Sequence, residues 1–217
     1  VLIEIDILLN MKTITLLLVE NRDIPAAKIL LKEQTELFKP DKVLLITDPK
    51  ITSLKTYSDF CLEELPSLIT TDFVLIIQLD GYILNMDAWE DDFLNYDYIG
   101  APWHAVIKNI DRTNESHPHF PLLNPKYLVG NGGFSLRSKK FLQESKILRE
   151  ANSSEYIKLD AEDYYLCVQH GDYMRDKCKF APVEIADKFS IEEGLYNNQF
   201  GFHGDIIFGL PGVYNSL

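Results

Sequence analysis

Cysteine is scarce in this chain of 217 residues: only Cys61, Cys167 and Cys178, with no C-x-x-C pair. An odd count without paired spacing argues against a disulfide framework or a structural zinc site. Reduced thiols in a cytoplasmic, intracellular setting are the expectation. Positive charge is short as well, with 21 Lys and Arg against 33 Asp and Glu, a net charge of −12. Phosphate-backbone binding needs clustered Lys and Arg, so nucleic acid is excluded as a broad partner class. A small phosphorylated ligand is not excluded, because a divalent cation reverses the local charge of an acidic site. No apolar run reaches the length of a bilayer span, so no transmembrane segment is expected. Neither G-x-G-x-x-G nor a Gly-Lys-Ser/Thr phosphate loop occurs, which counts against dinucleotide binding and P-loop hydrolysis. Repeats and low-complexity tracts are missing too.

What is present suits an ordinary globular protein: 46% hydrophobic and 12% aromatic residues. Residues 11–217 read as one continuous domain. Residues 1–10 read as a non-native or flexible extension, with native translation starting at Met11 ahead of a convincing strand. Strand signals fall on Thr13 to Val19, Val43 to Ile46 and Phe73 to Ile77, all short apolar runs. Between the first two, Ala26 to Phe38 has helical spacing after the cap residues Asn21 to Asp23, with Pro25 in the first turn. Glu63 to Ile69 reads as short helix or irregular chain, and Asp87 to Phe93 as one or two helical turns. Residues 108–126 read as a long loop, with His117 and His119 on the surface. A Gly-rich turn from Val129 enters a strand, Ser138 caps a helix through Glu150, and a further helix starts near Asp160. Uniformly apolar strands are covered on both faces, so the predicted fold is α/β with a mixed, mainly parallel central sheet flanked by helices. Ligands in such sheets sit beyond the carboxyl ends of the strands. That singles out Glu20-Asn21, Asp48 and Asp80.

Four groups carry the chemistry. Asp80, after an apolar strand and before Gly81, places a carboxylate where it can ligate Mg²⁺ or Mn²⁺. Gln78 shares its face by the two-residue strand period and offers a weaker oxygen or a hold on metal-bound water. Read alone, Asp-Gly is equally a turn. Gly132 and Gly133, in Val129-Gly130-Asn131-Gly132-Gly133-Phe134-Ser135, let backbone approach a ligand and expose amide donors; alone, they are a plain turn. Glu162-Asp163 at a helix start can divide proton acceptance and substrate binding, or merely complement the helix dipole. His203, within Phe200-Gly201-Phe202-His203-Gly204, can complete a metal site with Asp80, or serve structure alone. Trp103 is either a sugar-stacking platform or core.

The order of these pieces is more telling than any one of them. Leu75 to Gly81, Tyr96 to Trp103, Asn131 to Arg137, Glu162-Asp163, Phe189-Ser190-Ile191-Glu192 and Phe200 to Gly204 together resemble GT-A glycosyltransferases, in particular a family found in bacteria and some large DNA viruses. The resemblance implies the GT-A, Rossmann-like fold, a nucleotide-sugar donor (usually a UDP-sugar, UDP-hexose or UDP-deoxyhexose), a glycan or other hydroxyl acceptor, and Mn²⁺ or Mg²⁺. Asp80 and His203 match the metal ligands. Gln78 stands where such enzymes commonly carry the first Asp of Asp-x-Asp. Val19, Glu20 and Asn21 match the nucleoside end, with Asp48 approaching it. Gly132 and Gly133 match the wall of the sugar site. Asp163 matches the general base of inverting enzymes, with Glu162 beside it in an acceptor-binding role. The competing expectations are a nucleotidyltransferase on a related sheet and a non-catalytic carbohydrate-binding protein. Further domains in the full-length protein are left open.

Overall fold

The computed structural model describes residues 12–204 and the backbone of 207–208, so the extension expected at 1–10 and a start at Met11 lie outside the described residues. In chain order the elements are β1 (Ile14–Val19), α1 (Ile24–Phe38), β2 (Lys42–Ile46), α2 (Leu54–Glu63), α3 (Leu65–Leu68), β3 (Phe73–Ile77), β4 (Tyr98–Gly100), α4 (His104–Lys108), β5 (Ser135–Ser138), α5 (Lys139–Ala151), α6 (Glu162–Tyr164), α7 (Gly171–Lys177), α8 (Val183–Phe189), β6 (Ser190–Ile191), β7 (Gly194–Leu195), β8 (Gly201–Phe202) and β9 (Ile207–Phe208). Five strands form the central sheet in the order β2-β1-β3-β5-β4. β1 pairs in parallel with β2 and β3, whereas β5 runs antiparallel to both β3 and β4. This is the mixed, mainly parallel α/β sheet that the apolar runs predict.

The strand period explains how helices cover both faces. Ile14, Leu16 and Leu18 with Phe73, Leu75 and Ile77 turn one way, onto Ala27 and Leu31 of α1. Leu17 with Val74 and Ile76 turns the other way, onto Phe60, Cys61, Leu65 and Leu142 from α2, α3 and α5. β2 departs from the uniformly buried reading: Val43 on this edge strand is exposed, and its neighbours are only half-buried.

α2 has little apolar periodicity in its sequence. Its start is set by a capping box instead, in which Ser53 accepts from the Thr56 amide and the Thr56 hydroxyl accepts from the Ser53 amide. The helix expected from Asp160 is shorter and more irregular. Glu162–Tyr164 forms one α-helical turn, Tyr165–Gln169 continues as π-helix, and α7 follows. Just before it, Leu159 and Asp160 both hold left-handed backbone, at φ 61° and 54°. Non-glycine residues there carry strain. Ser58 anchors the segment, donating to the Asp160 carbonyl at 2.7 Å and accepting from the Glu162 amide at 3.0 Å. The loop after α4 is partly pinned: the Tyr164 hydroxyl donates to the Pro118 carbonyl, and the rings of His119 and Tyr164 lie 5.9 Å apart. His117 and His119 are therefore half-buried rather than open surface residues.

Candidate active site

A cleft of about 300 Å³ opens at the carboxyl ends of β1 and β3. Its walls are residues 19–22 after β1, residues 51–54 with Tyr57 at the start of α2, and residues 78–80 after β3. This is where a parallel sheet is expected to bind ligands. Val19, Glu20, Asn21, Gln78 and Asp80 all line it. Asn21 ties the two sides together by donating to the carbonyls of Asp48 and Ile51. Asp48 is not brought into the cleft, because its carboxylate turns back to accept from the Lys50 amide at 2.9 Å. Glu20 lines the cleft but is spoken for, accepting from the amides of Arg22 and Asp23 and from the Arg22 guanidinium. Burial alone would push its carboxyl up, yet the hydrogen bonds from Arg22 and Asp23 together hold it below the usual range.

The Asp-Gly pair is both a turn and a candidate ligand. Gln78 and Gly81 exchange backbone hydrogen bonds at 2.7 and 3.1 Å, which leaves Asp80 at the tip with its side chain 49% exposed. His203 reaches the same place from the far end of the chain. β8 pairs with β6, and the His203 amide donates to the Ile191 carbonyl at 2.9 Å. Nε2 of His203 lies 3.0 Å from Gln78 Oε1 and 3.8 Å from Asp80 Oδ1. An imidazole, a carboxylate and an amide oxygen thus converge, and the two oxygens are of the type that Mn²⁺ and Mg²⁺ prefer. Among the described residues, no group of three or more His, Cys, Asp and Glu side chains is arranged to hold a metal.

The two glycines are needed for space, and protein side chains fill that space. A Cβ on Gly133 would lie 2.1 Å from His203 Nε2. One on Gly132 would lie 2.8 Å from the Arg137 guanidinium and 2.9 Å from Asp163 Cβ. The expected exposed amide is likewise committed, because Gly132 donates to Asp163 Oδ2 at 2.9 Å. The Gly132 amide is thus occupied within the protein.

Asp163 also accepts from the Tyr164 amide at 2.7 Å. Burial and the adjacent Glu162 carboxylate push Asp163 up to about 7, against the pull of the two amides and Arg137. Glu162 points inward. Its carboxylate meets Arg137 at 2.7 Å in a fully buried pair, so the acceptor-binding role expected of it is not what its surroundings offer. Arg137 in turn donates to Ser135 and to the Gly132 carbonyl. Trp103 is only 7% exposed and packs among Tyr98, Tyr165 and Cys167, with its ring against Gly130. It is core, not a platform. All three cysteines are free and buried.

The sequence reading assigned no role to two residues that complete the site. Asn131 donates to Glu192 at 2.7 Å and lies 3.1 Å from His203 Nδ1, linking the two. Burial, reinforced by the charge of Asp163, pushes the Glu192 carboxyl up to about 8. Both residues lie in stretches that carry the resemblance, but nothing in their spacing distinguishes them from loop polars.

Residues 42–203 match the model of a family described as a protein of unknown function (DUF5672). The match covers well over half of the chain, and the chain belongs to that family. No curated protein matches the chain.

Proposed function

We propose that the protein is a GT-A-type glycosyltransferase, dependent on Mn²⁺ or Mg²⁺, that moves a sugar from a nucleotide-sugar donor to a hydroxyl of a glycan or similar acceptor with inversion. A UDP-hexose or UDP-deoxyhexose is the donor class. One observation carries the reading. The turn at Asn131–Gly133 links Asp163, a carboxylate with a raised pKa held by the Gly132 amide, to His203, which meets Gln78 and Asp80 of the cleft lining.

The chain's own groups divide the work. Val19, Asn21 and Tyr57 line the cleft and would enclose the nucleoside. Asp80, Gln78 and His203 would hold the cation, which when bound supplies charge neutralisation to the leaving diphosphate. The acceptor oxygen forms its bond to the anomeric carbon as the bond from that carbon to the diphosphate oxygen breaks, and the nucleoside diphosphate leaves with the electron pair. Asp163 takes the hydroxyl proton. A carboxylate poised near neutrality suits that task, since general-base catalysis is most efficient when the pKa lies near the working pH. Gly132 and Tyr164 fix the carboxylate's orientation through their amides. Among the described residues no helix is long and apolar enough to cross a membrane.

The test is a panel of nucleotide-sugars with Mn²⁺, scored by nucleotide release with and without hydroxyl acceptors. Release from one donor class, abolished by EDTA and restored by Mn²⁺, is the expected result. Binding without release from any donor would favour a carbohydrate-binding protein, and full activity in EDTA would remove the cation.

A further inference from the structure

The cleft is acidic where an anionic donor must lie. Of its lining residues, Glu20 and Asp80 are acidic and Arg22 is the one basic side chain. Arg22 is held loosely. Its guanidinium reaches Glu20 at 3.3 and 3.4 Å, and its side chain is 90% exposed. An ion pair so open to water contributes little. The Glu20 carboxylate also has two backbone donors, the amides of Arg22 and Asp23. Arg22 belongs to the 19–22 wall of the cleft and Asp80 to the 78–80 wall. A planar fork of donors is suited to bidentate contact with phosphate oxygens.

We propose that Arg22 is a phosphate-binding residue: it releases Glu20 and grips the phosphate groups of the bound nucleotide from the wall facing Asp80. This rests on the reading of the cleft as a nucleotide-sugar site and adds to it the source of positive charge that the protein itself supplies. Release of Glu20 leaves its carboxylate with two backbone amide donors. The salt dependence of binding follows, since an exposed cation and an anionic ligand are screened by ions.

The experiment measures binding of UDP, inorganic pyrophosphate and uridine by calorimetry, with Mn²⁺ and in EDTA. It compares the unaltered protein with Arg22→Ala, Arg22→Lys and the charge control Lys32→Ala. Lys32 lies on α1 with its side chain largely exposed, outside the cleft lining. Arg22→Ala is expected to weaken UDP and pyrophosphate about tenfold or more while leaving uridine unchanged. Arg22→Lys should recover part of the loss, and Lys32→Ala should match the unaltered protein. Equal UDP affinity in Arg22→Ala overturns the role of Arg22 and leaves the nucleotide reading standing. A parallel loss for uridine also overturns it, because the effect would then lie in the nucleoside wall. If the unaltered protein binds neither UDP nor pyrophosphate, the nucleotide-site reading fails and the phosphate role falls with it.

Discussion

Gly132 donates its amide to Asp163 Oδ2 across 31 positions of sequence, so the glycine turn and the carboxylate beside it are one unit. Arg137 closes the loop, its Nη2 donating both to the Gly132 carbonyl and to Glu162 Oε1. The orientation of Asp163 is therefore set by buried contacts on two sides.

Replacing Asp163 with Asn is expected to leave donor binding intact and to lower transfer by about 10²–10⁴-fold, the range for lost base catalysis. If the protein is the proposed transferase, kcat/KM of the unaltered chain should climb as pH rises towards about 7, the value to which Asp163 is pushed, and then level off. Steady-state rates across pH 5–9 (roughly the range in which such groups titrate) check both. Near-normal transfer in the variant would remove Asp163 as base.

Glu192 makes a prediction about stability. Its folded carboxyl is raised to about 8 from an ordinary value of 4.5. Between those values the native state binds more protons than the unfolded state, so stability falls as pH rises through the window and the loss is complete above it. Glu192→Gln keeps an acceptor for Asn131 and removes the buried charge. It should raise stability at pH 8 by on the order of 1–3 kcal/mol and flatten the dependence. Urea unfolding at several pH values reads this out; a parallel pH profile in both proteins would refute it.

The Arg137–Glu162 pair is buried on both sides. Arg137→Met leaves the Glu162 carboxylate uncompensated and should cost about 3–5 kcal/mol. Adding Glu162→Leu should recover much of that, because an apolar pair of similar size often matches a buried ion pair. Denaturation midpoints of the single and double variants give the coupling directly, and strictly additive losses would contradict it.

Gly133→Ala places a methyl group where His203 Nε2 now sits. The ring must shift, which disturbs its contacts with Gln78 and Asp80. The fold should survive at a cost of about 1–3 kcal/mol, typical of overpacking, while Mn²⁺-dependent nucleotide release is lost. Circular dichroism with the release assay separates the two effects, and undiminished Mn²⁺ dependence would show that His203 is not needed there.

Much of the fold was legible because β1 and β3 bury both faces, and that writes itself as unbroken apolar runs. α2 was not legible. Leu54–Glu63 interleaves Lys55, Asp59 and Glu63 with the buried Ser58, Phe60, Cys61 and Leu62, and its clearest mark is a capping box of two hydroxyls. At the site, strand ends pointed to Asp80 and Asn21, and the resemblance to Asp163 and His203. Sequence could not separate Trp103 as core from Trp103 as platform, because burial is a property of the assembled packing. Nor could it reveal that Glu162 faces Arg137, or that Glu192 and His203 share Asn131. Those are contacts between segments 25 to 72 positions apart.

The place of β5 has a consequence for the order of synthesis. It lies between β3 and β4, although it is made after both. Until residue 138 has been added, β3 carries an open edge along Phe73–Ile77, and β4 lacks its neighbour in the central sheet. A growing chain of this protein thus passes through a stage in which its most apolar strand can pair with another chain. The arrival of Ser135–Ser138 ends that exposure and, in the same step, brings the Gly132–Gly133 turn to its place beside the cleft.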